Sequence, residues 1–163
     1  MDAYQTGEFR DKANAHFQEN VAEHLAKGHM LVDKDDADIS AWPEPGSEYP
    51  LIHLIGHKLK QGKTRQWYNA VKTIHGALQA GGFEEHYGFS WTMAGGPDPY
   101  VTLVLFNANW GDFETPDPTV YQIVSEQLGE EEAQKQFDAF SSAVYSAKSW
   151  IVRHNPELSS GGE

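Results

Sequence analysis

The chain has no cysteine among its 163 residues, which excludes disulfides, thiolate nucleophiles and Cys-ligated zinc or iron–sulfur centres. Positive charge is also scarce. Twelve Lys and Arg stand against 24 Asp and Glu, a formal charge of -12, so nucleic-acid phosphates and anionic lipid are repelled at long range and neither nucleic acid nor membrane is expected as a partner. No apolar run approaches the ~20 residues of a membrane-spanning helix, and the start MDAYQTGEFRDK has no apolar segment of the leader type. The expectation is a soluble acidic protein, cytoplasmic if Met1 is native and exported if a leader has been removed.

What the chain does contain is aromatic surface. Five Trp, seven Tyr and eight Phe make up 12% of it, within a hydrophobic content of 39%, enough to form a core without covalent staples. The length fits one domain with an appendage. In residues 7–27, Phe9, Ala13, Phe17, Val21 and Leu25 recur every four positions with charges between them, the stripe of an amphipathic helix that Gly28 ends. DKDDADISAWPEPGSEYP (33–50) has no period and reads as a connector. Residues 1–49 are therefore expected to be an N-terminal helical extension and connector, 50–155 the main domain, and 156–163 a tail.

Within 50–155, LIHLIGHKL (51–59) predicts a strand. Trp67, Ala70, Val71, Ile74, Ala77 and Leu78 predict a helix closed by Gly81 and Gly82. HYGFSWTMA alternates, with Tyr87, Phe89, Trp91 and Met93 on one face, and GGPD turns it into YVTLVLFNANW, a hairpin. Residues 118–148 predict a second helical stretch broken at Gly129, and SWIVRHN (149–155) a last strand. The order βαββαβ predicts an α+β, ferredoxin-like antiparallel sheet of spatial order 4-1-3-2. Both middle strands carry bulky apolar groups on both faces: Leu51 and Ile55 against Ile52 and Leu54, and Val101, Leu103 and Leu105 against Tyr100, Val104 and Phe106. Helices cover one face only, so the other is expected to pack on another sheet, in a homodimer.

With this element order, the hairpin YGFSWTMAGGPDPYVTLVLFNANW and the doubly apolar sheet, about 106 residues resemble the dimeric α+β-barrel superfamily of antibiotic-biosynthesis-monooxygenase-like and stress-responsive barrel proteins. The resemblance implies a homodimer with sheets face to face and a pocket between helices and sheet in each protomer. Chemistry differs widely across such a fold. Some members oxidise aromatic polyketides without a cofactor, which needs polar groups set against a planar substrate; His75, Trp67, Trp91 and Asn107 are the matching types here. Others bind haem, and since residues 118–148 hold no His, only His75 could serve.

Several constellations compete for chemistry. Gly56 to Thr64 imitates a phosphate-binding loop, but five residues separate Gly56 from Gly62 where that loop needs four. Lys58, Lys60, Lys63 and Arg65 form the only basic cluster, a solvated rim or a weak anion contact at a helix N-terminus. His53 and His57 share a strand face about 13 Å apart, too far for one ion. If the last strand lies beside the first, His53 and His154 form the better couple, two imidazoles without a carboxylate. DKDDAD lacks the Gly and Glu of a calcium loop. No metal and no cofactor are expected.

His75 sits one turn from Val71 and from Leu78 on the face carrying Trp67, where partial desolvation tunes an imidazole as a general base. It is the candidate catalytic residue. Trp67, Tyr68, Trp91, Asn107, Trp110, His53 and His154 are candidate ligand-binding residues, with Tyr87 and Phe89 as further aromatic lining. Two functions follow. One is a small-molecule-binding protein or cofactor-independent enzyme that takes a planar or apolar molecule between the helix 64–80 and the sheet. The other is a non-catalytic interaction module in which that space is packed solid. A void lined by Trp67, His75 and Trp91 distinguishes the first from the second, which closes it.

Overall fold

The computed structural model of the chain describes residues 11, 12, 15, 16, 19, 31–96 and 99–155. It divides into two units, Met1–Met30 and Leu31–Glu163. In the first unit the five described positions are helical. The stripe residues Phe9, Ala13, Phe17, Val21 and Leu25 lie outside the described residues, as does the tail 156–163.

The second unit holds strands β1 (Val32–Asp35), β2 (Leu51–Leu59), β3 (Tyr87–Ala94), β4 (Tyr100–Asn107) and β5 (Val144–Arg153), and helices α1 (Thr64–Ala80), α2 (Val120–Leu128) and α3 (Glu130–Ala143). It is an α+β fold with one antiparallel sheet ordered β1-β3-β4-β2-β5. That order differs from the expected four-strand 4-1-3-2, because Val32–Asp35, within a stretch that looks like connector, pairs with β3 and adds a fifth strand at the edge. All four of its residues are exposed, and charge of this kind is what an edge strand tolerates. The remaining strands run β5-β2-β4-β3 inside the sheet.

Other boundaries also move. The last strand begins at Val144 rather than residue 149, since backbone pairing with β2 extends back to Leu59↔Val144. The second helical stretch splits at Gly129, whose φ of 84° suits only glycine. Thr119 starts α2 with a capping box to Gln122. At the end of α1, Gly82 takes φ 70°; its N–H reaches the Gln79 carbonyl at 3.3 Å and the Phe83 N–H reaches that of Leu78 at 3.0 Å. This Schellman closure turns Phe83 back against Leu78.

The core lies between the helices and one sheet face. Trp67 of α1 is 0% exposed and meets Phe89 and Trp91 of β3 edge-on, both with ring centroids at 5.4 Å. Phe140 of α3 closes the same cluster, 5.9 Å from Trp67 and 5.5 Å from His57. Truncating a buried Trp in such a cluster costs about 3–5 kcal/mol. On the opposite sheet face, Trp42 sits where a Cβ on Gly88 would stand. Trp42 and Tyr49 both pack on Phe106, at 5.7 and 5.4 Å. The connector thus covers the β3–β4 end of that face, and only glycine at position 88 leaves room for it.

Candidate functional site

The helical period that buries Trp67 also aims Val71, Ile74, His75 and Leu78 of α1 at the sheet one to three turns further on, where the helix–sheet space is not filled. A cavity of about 470 Å³ opens there, within the ~300–1,000 Å³ typical of small-molecule sites. Its floor is His53 of β2, Tyr87 and Phe89 of β3, and Leu103, Leu105 and Asn107 of β4. The register explains the grouping, since His53↔Leu105 and Tyr87↔Leu105 align these side chains on the helix-covered face. Phe137 and Phe140 of α3, Val120 of α2, and the segment Asp112–Pro116 complete the walls. That segment is tied down locally. Asn109 caps the turn Trp110–Phe113, and Asp112 accepts the N–H groups of Ala108 and Asn109 at 2.6 and 3.1 Å. Phe113 is thereby set against the His53 ring at 5.6 Å.

The polar centre of this apolar space is a pair. His75 Nδ1 lies 2.8 Å from Tyr87 Oη. Burial holds the His75 imidazole below its ordinary range, and the Lys72 ammonium acts in the same direction. Burial pushes the Tyr87 phenol up to about 12, offset in part by the Gln79 side chain. At neutral pH both partners are uncharged, and one hydrogen bond joins them. With Nδ1 engaged, Nε2 is the nitrogen left to meet a ligand, and it has no partner among the described residues.

Asn107 is 6% exposed and lines the cavity. Its amide nitrogen donates to the Leu105 carbonyl at 3.3 Å, while its amide oxygen has no partner among the described residues.

No protein-family model matches the chain, and no curated protein does. A solved structure of a candidate monooxygenase from Lactobacillus acidophilus NCFM is similar at 13% identity and a TM-score of 0.44, over 90% of this chain. The chain spans 65% of that protein's length. The functional reading therefore rests on the geometry of the site.

The geometry sorts the expected residues. His53, His75 and Asn107 line the cavity together. Trp67 is in the packed cluster behind it. Trp91 and Tyr68 lie on the far side of Trp67, with centroids 6.5 Å apart. There the Trp91 indole N–H donates to Asp36 at 2.9 Å, and Lys72 stands 5.9 Å from the Tyr68 ring. Trp110 is 63% exposed and reaches the site through its stacking on Phe113, at 5.4 Å. His154 lies beyond β5, its N–H on the Pro50 carbonyl at 2.9 Å. The register sets Ile151 opposite His53, which leaves His154 about 10 Å along the strand at ~3.3 Å per residue. His53 and His154 are not brought together. Among the described residues no group of three or more His, Asp or Glu is placed to hold a metal ion.

The sequence reading did not single out Glu85, His86, Phe113, Phe137 or Phe140, all of which line the cavity. Phe137 and Phe140 carried a usable signal, an i,i+3 aromatic pair on one helix face. The others sit in loops, where no period aims a side chain.

Proposed function

We propose that this chain is a small-molecule-binding protein or cofactor-independent enzyme of the dimeric α+β-barrel type, and that it takes an apolar, planar molecule in the cavity between α1 and the sheet. The observation that carries the reading is the void itself, about 470 Å³ of mostly apolar space with one neutral imidazole–phenol pair facing into it. A module that serves only association has no use for unfilled volume beside its core, because each unfilled contact forfeits dispersion energy.

The chemistry follows from the pair. In the tautomer whose Nδ1–H donates to Tyr87 Oη, His75 presents the Nε2 lone pair and accepts a proton from an acidic C–H or O–H of the bound molecule. Tyr87 holds the ring in place, as the partner of a general base does. Asn107 supplies a polar contact at the end of the sheet. The homodimer of this reading is supported by apolar residues left uncovered on the open face, Trp150 and Val152 being 48% and 47% exposed.

The test is binding of a neutral environment-sensitive dye, N-phenylnaphthylamine, followed by fluorescence. Saturable binding at one site per chain is expected, together with a rise in melting temperature equivalent to about 2.7 kcal/mol at a hundredfold excess over Kd. Leu105→Trp and Val120→Trp fill the void from opposite walls and should each abolish binding while circular dichroism stays unchanged. Absence of saturable binding to the unaltered protein overturns the reading.

A further inference from the structure

The charged groups lining the cavity are one-sided. Among the described residues no Lys or Arg lines it. Glu85 and Glu114 line it with carboxylates that have no hydrogen-bond or ion-pair partner among the described residues. Asp112, the third acid, is spent on the loop, with both carboxylate oxygens accepting from Ala108 and Asn109. The deepest amide is Asn107, more than nine-tenths buried. One of its two N–H groups donates to the Leu105 carbonyl, and its oxygen has no partner among the described residues. The pairing Tyr87↔Leu105 places residue 85 and residue 107 at the same end of the sheet. Among the described residues, an amide acceptor and two carboxylates without partners therefore stand at one end of an apolar space that no Lys or Arg lines.

From this we infer that the cavity selects an apolar molecule bearing a protonated amine, with the ammonium between Asn107 Oδ1 and the carboxylates of Glu85 and Glu114 and the hydrocarbon body against Phe89, Leu105 and Phe137. An ammonium carries only donors and no acceptor, so it matches Asn107 Oδ1 and the two carboxylates, which only accept. A carboxylate or phosphate would meet two like charges there, with the Thr115 hydroxyl and the imidazoles of His53 and His86 among the few groups in the lining to donate to it, which costs affinity. The chain's charge of -12 favours encounter with a cation in the same sense. The inference rests on the cavity being a ligand site, as proposed above, and adds the charge and hydrogen-bonding class of what enters it.

One ring system in three charge states tests it. Naphthylmethylamine, naphthylmethanol and naphthoate are titrated into the full chain at about pH 8, above the ordinary imidazole range, with Kd read by calorimetry. The amine is expected to bind at least tenfold more tightly than the alcohol, and naphthoate more weakly than either. Glu85→Gln with Glu114→Gln should bring amine and alcohol to within about twofold. Asn107→Leu should weaken both. The double Gln variant removes only exposed carboxylates, so its fold is expected to persist, and an unchanged circular dichroism spectrum and melting temperature serve as the control for that. Equal or tighter binding of naphthoate, or an amine preference that survives the double substitution, overturns this inference and leaves the cavity reading standing. Failure of all three compounds to bind overturns both.

Discussion

His57 is the residue with the least comfortable surroundings in the core. It is 7% exposed and lies edge-on to Phe140, and its Nδ1 is buried without a partner among the described residues. Burial lowers its basicity. The unfolded chain therefore binds a proton at His57 more readily than the folded chain does, and unfolding takes up protons as pH falls below the ordinary imidazole value of about 6.5. The stabilisation is present above that value and is lost on acidification through the folded value. Between about pH 7 and pH 5, urea midpoints of the unaltered protein should fall. His57→Leu, which replaces a buried unsatisfied group with an apolar one of similar size, should lose part of that fall and be the more stable of the two at about pH 5. An identical drop in the variant would show that His57 takes no part in it.

Residue-scale legibility follows the same physics. The face that His75 occupies could be located from the sequence because helical period fixes it, and His75 lines the cavity. Trp67 obeys the same period and is buried, yet periodicity does not say where along a face the packing stops and a void begins. That boundary is set by Phe89, Trp91 and Phe140 arriving from two other elements, and no local pattern encodes the meeting.

At the scale of elements, the helices and the central strands were legible from period and glycine punctuation, whereas β1 was not. VDKD has the composition of a loop and becomes a strand through tertiary partners. Ser90 donates to Asp35 at 2.6 Å and the Trp91 indole to Asp36 at 2.9 Å. Asp36 also caps the turn Ala37–Ile39 through the Asp38 N–H at 3.1 Å. Its two oxygens thus serve two different donors. Asp36→Ala should cost about 1–3 kcal/mol through loss of the cap and an unsatisfied indole N–H. Asp36→Asn keeps one acceptor oxygen and should cost less; thermal melts of the two variants order them, and equal losses would refute the two-donor account. After β4, Asp112→Ala removes three of the bonds that hold the turn Trp110–Phe113. The Phe113 wall then loosens, and the expected result is a several-fold weaker dye affinity with only a small change in melting temperature, because no residue of that turn is buried.

For the whole molecule, the proposed homodimer rests on the open sheet face. The connector covers its β3–β4 end with Trp42 and Tyr49. Beyond them the register lines up two apolar rows, Val104–Leu54–Trp150 across three strands and Ile52–Val152 across two. Rows of this kind on one face form the centre of a self-complementary two-fold interface, for which about 800 Å² per partner is usual. Two chains of charge -12 must approach to form it, so apolar attraction works against a repulsion that salt screens. The Debye length shrinks from about 30 Å at 0.01 M to about 8 Å at 0.15 M. Sedimentation equilibrium should therefore show a dimer whose Kd tightens as salt rises over that interval, opposite to the trend of an interface held by ion pairs. Trp150→Glu places a charge in the middle of one row and should yield monomer at both salt concentrations. Tyr145→Glu, also on β5 and 69% exposed but outside those rows, should leave the dimer intact. A monomer in the unaltered protein at high salt would remove the dimer from the proposed function, and a Tyr145→Glu monomer would place the contact at the Lys58 end of β5 rather than on those rows.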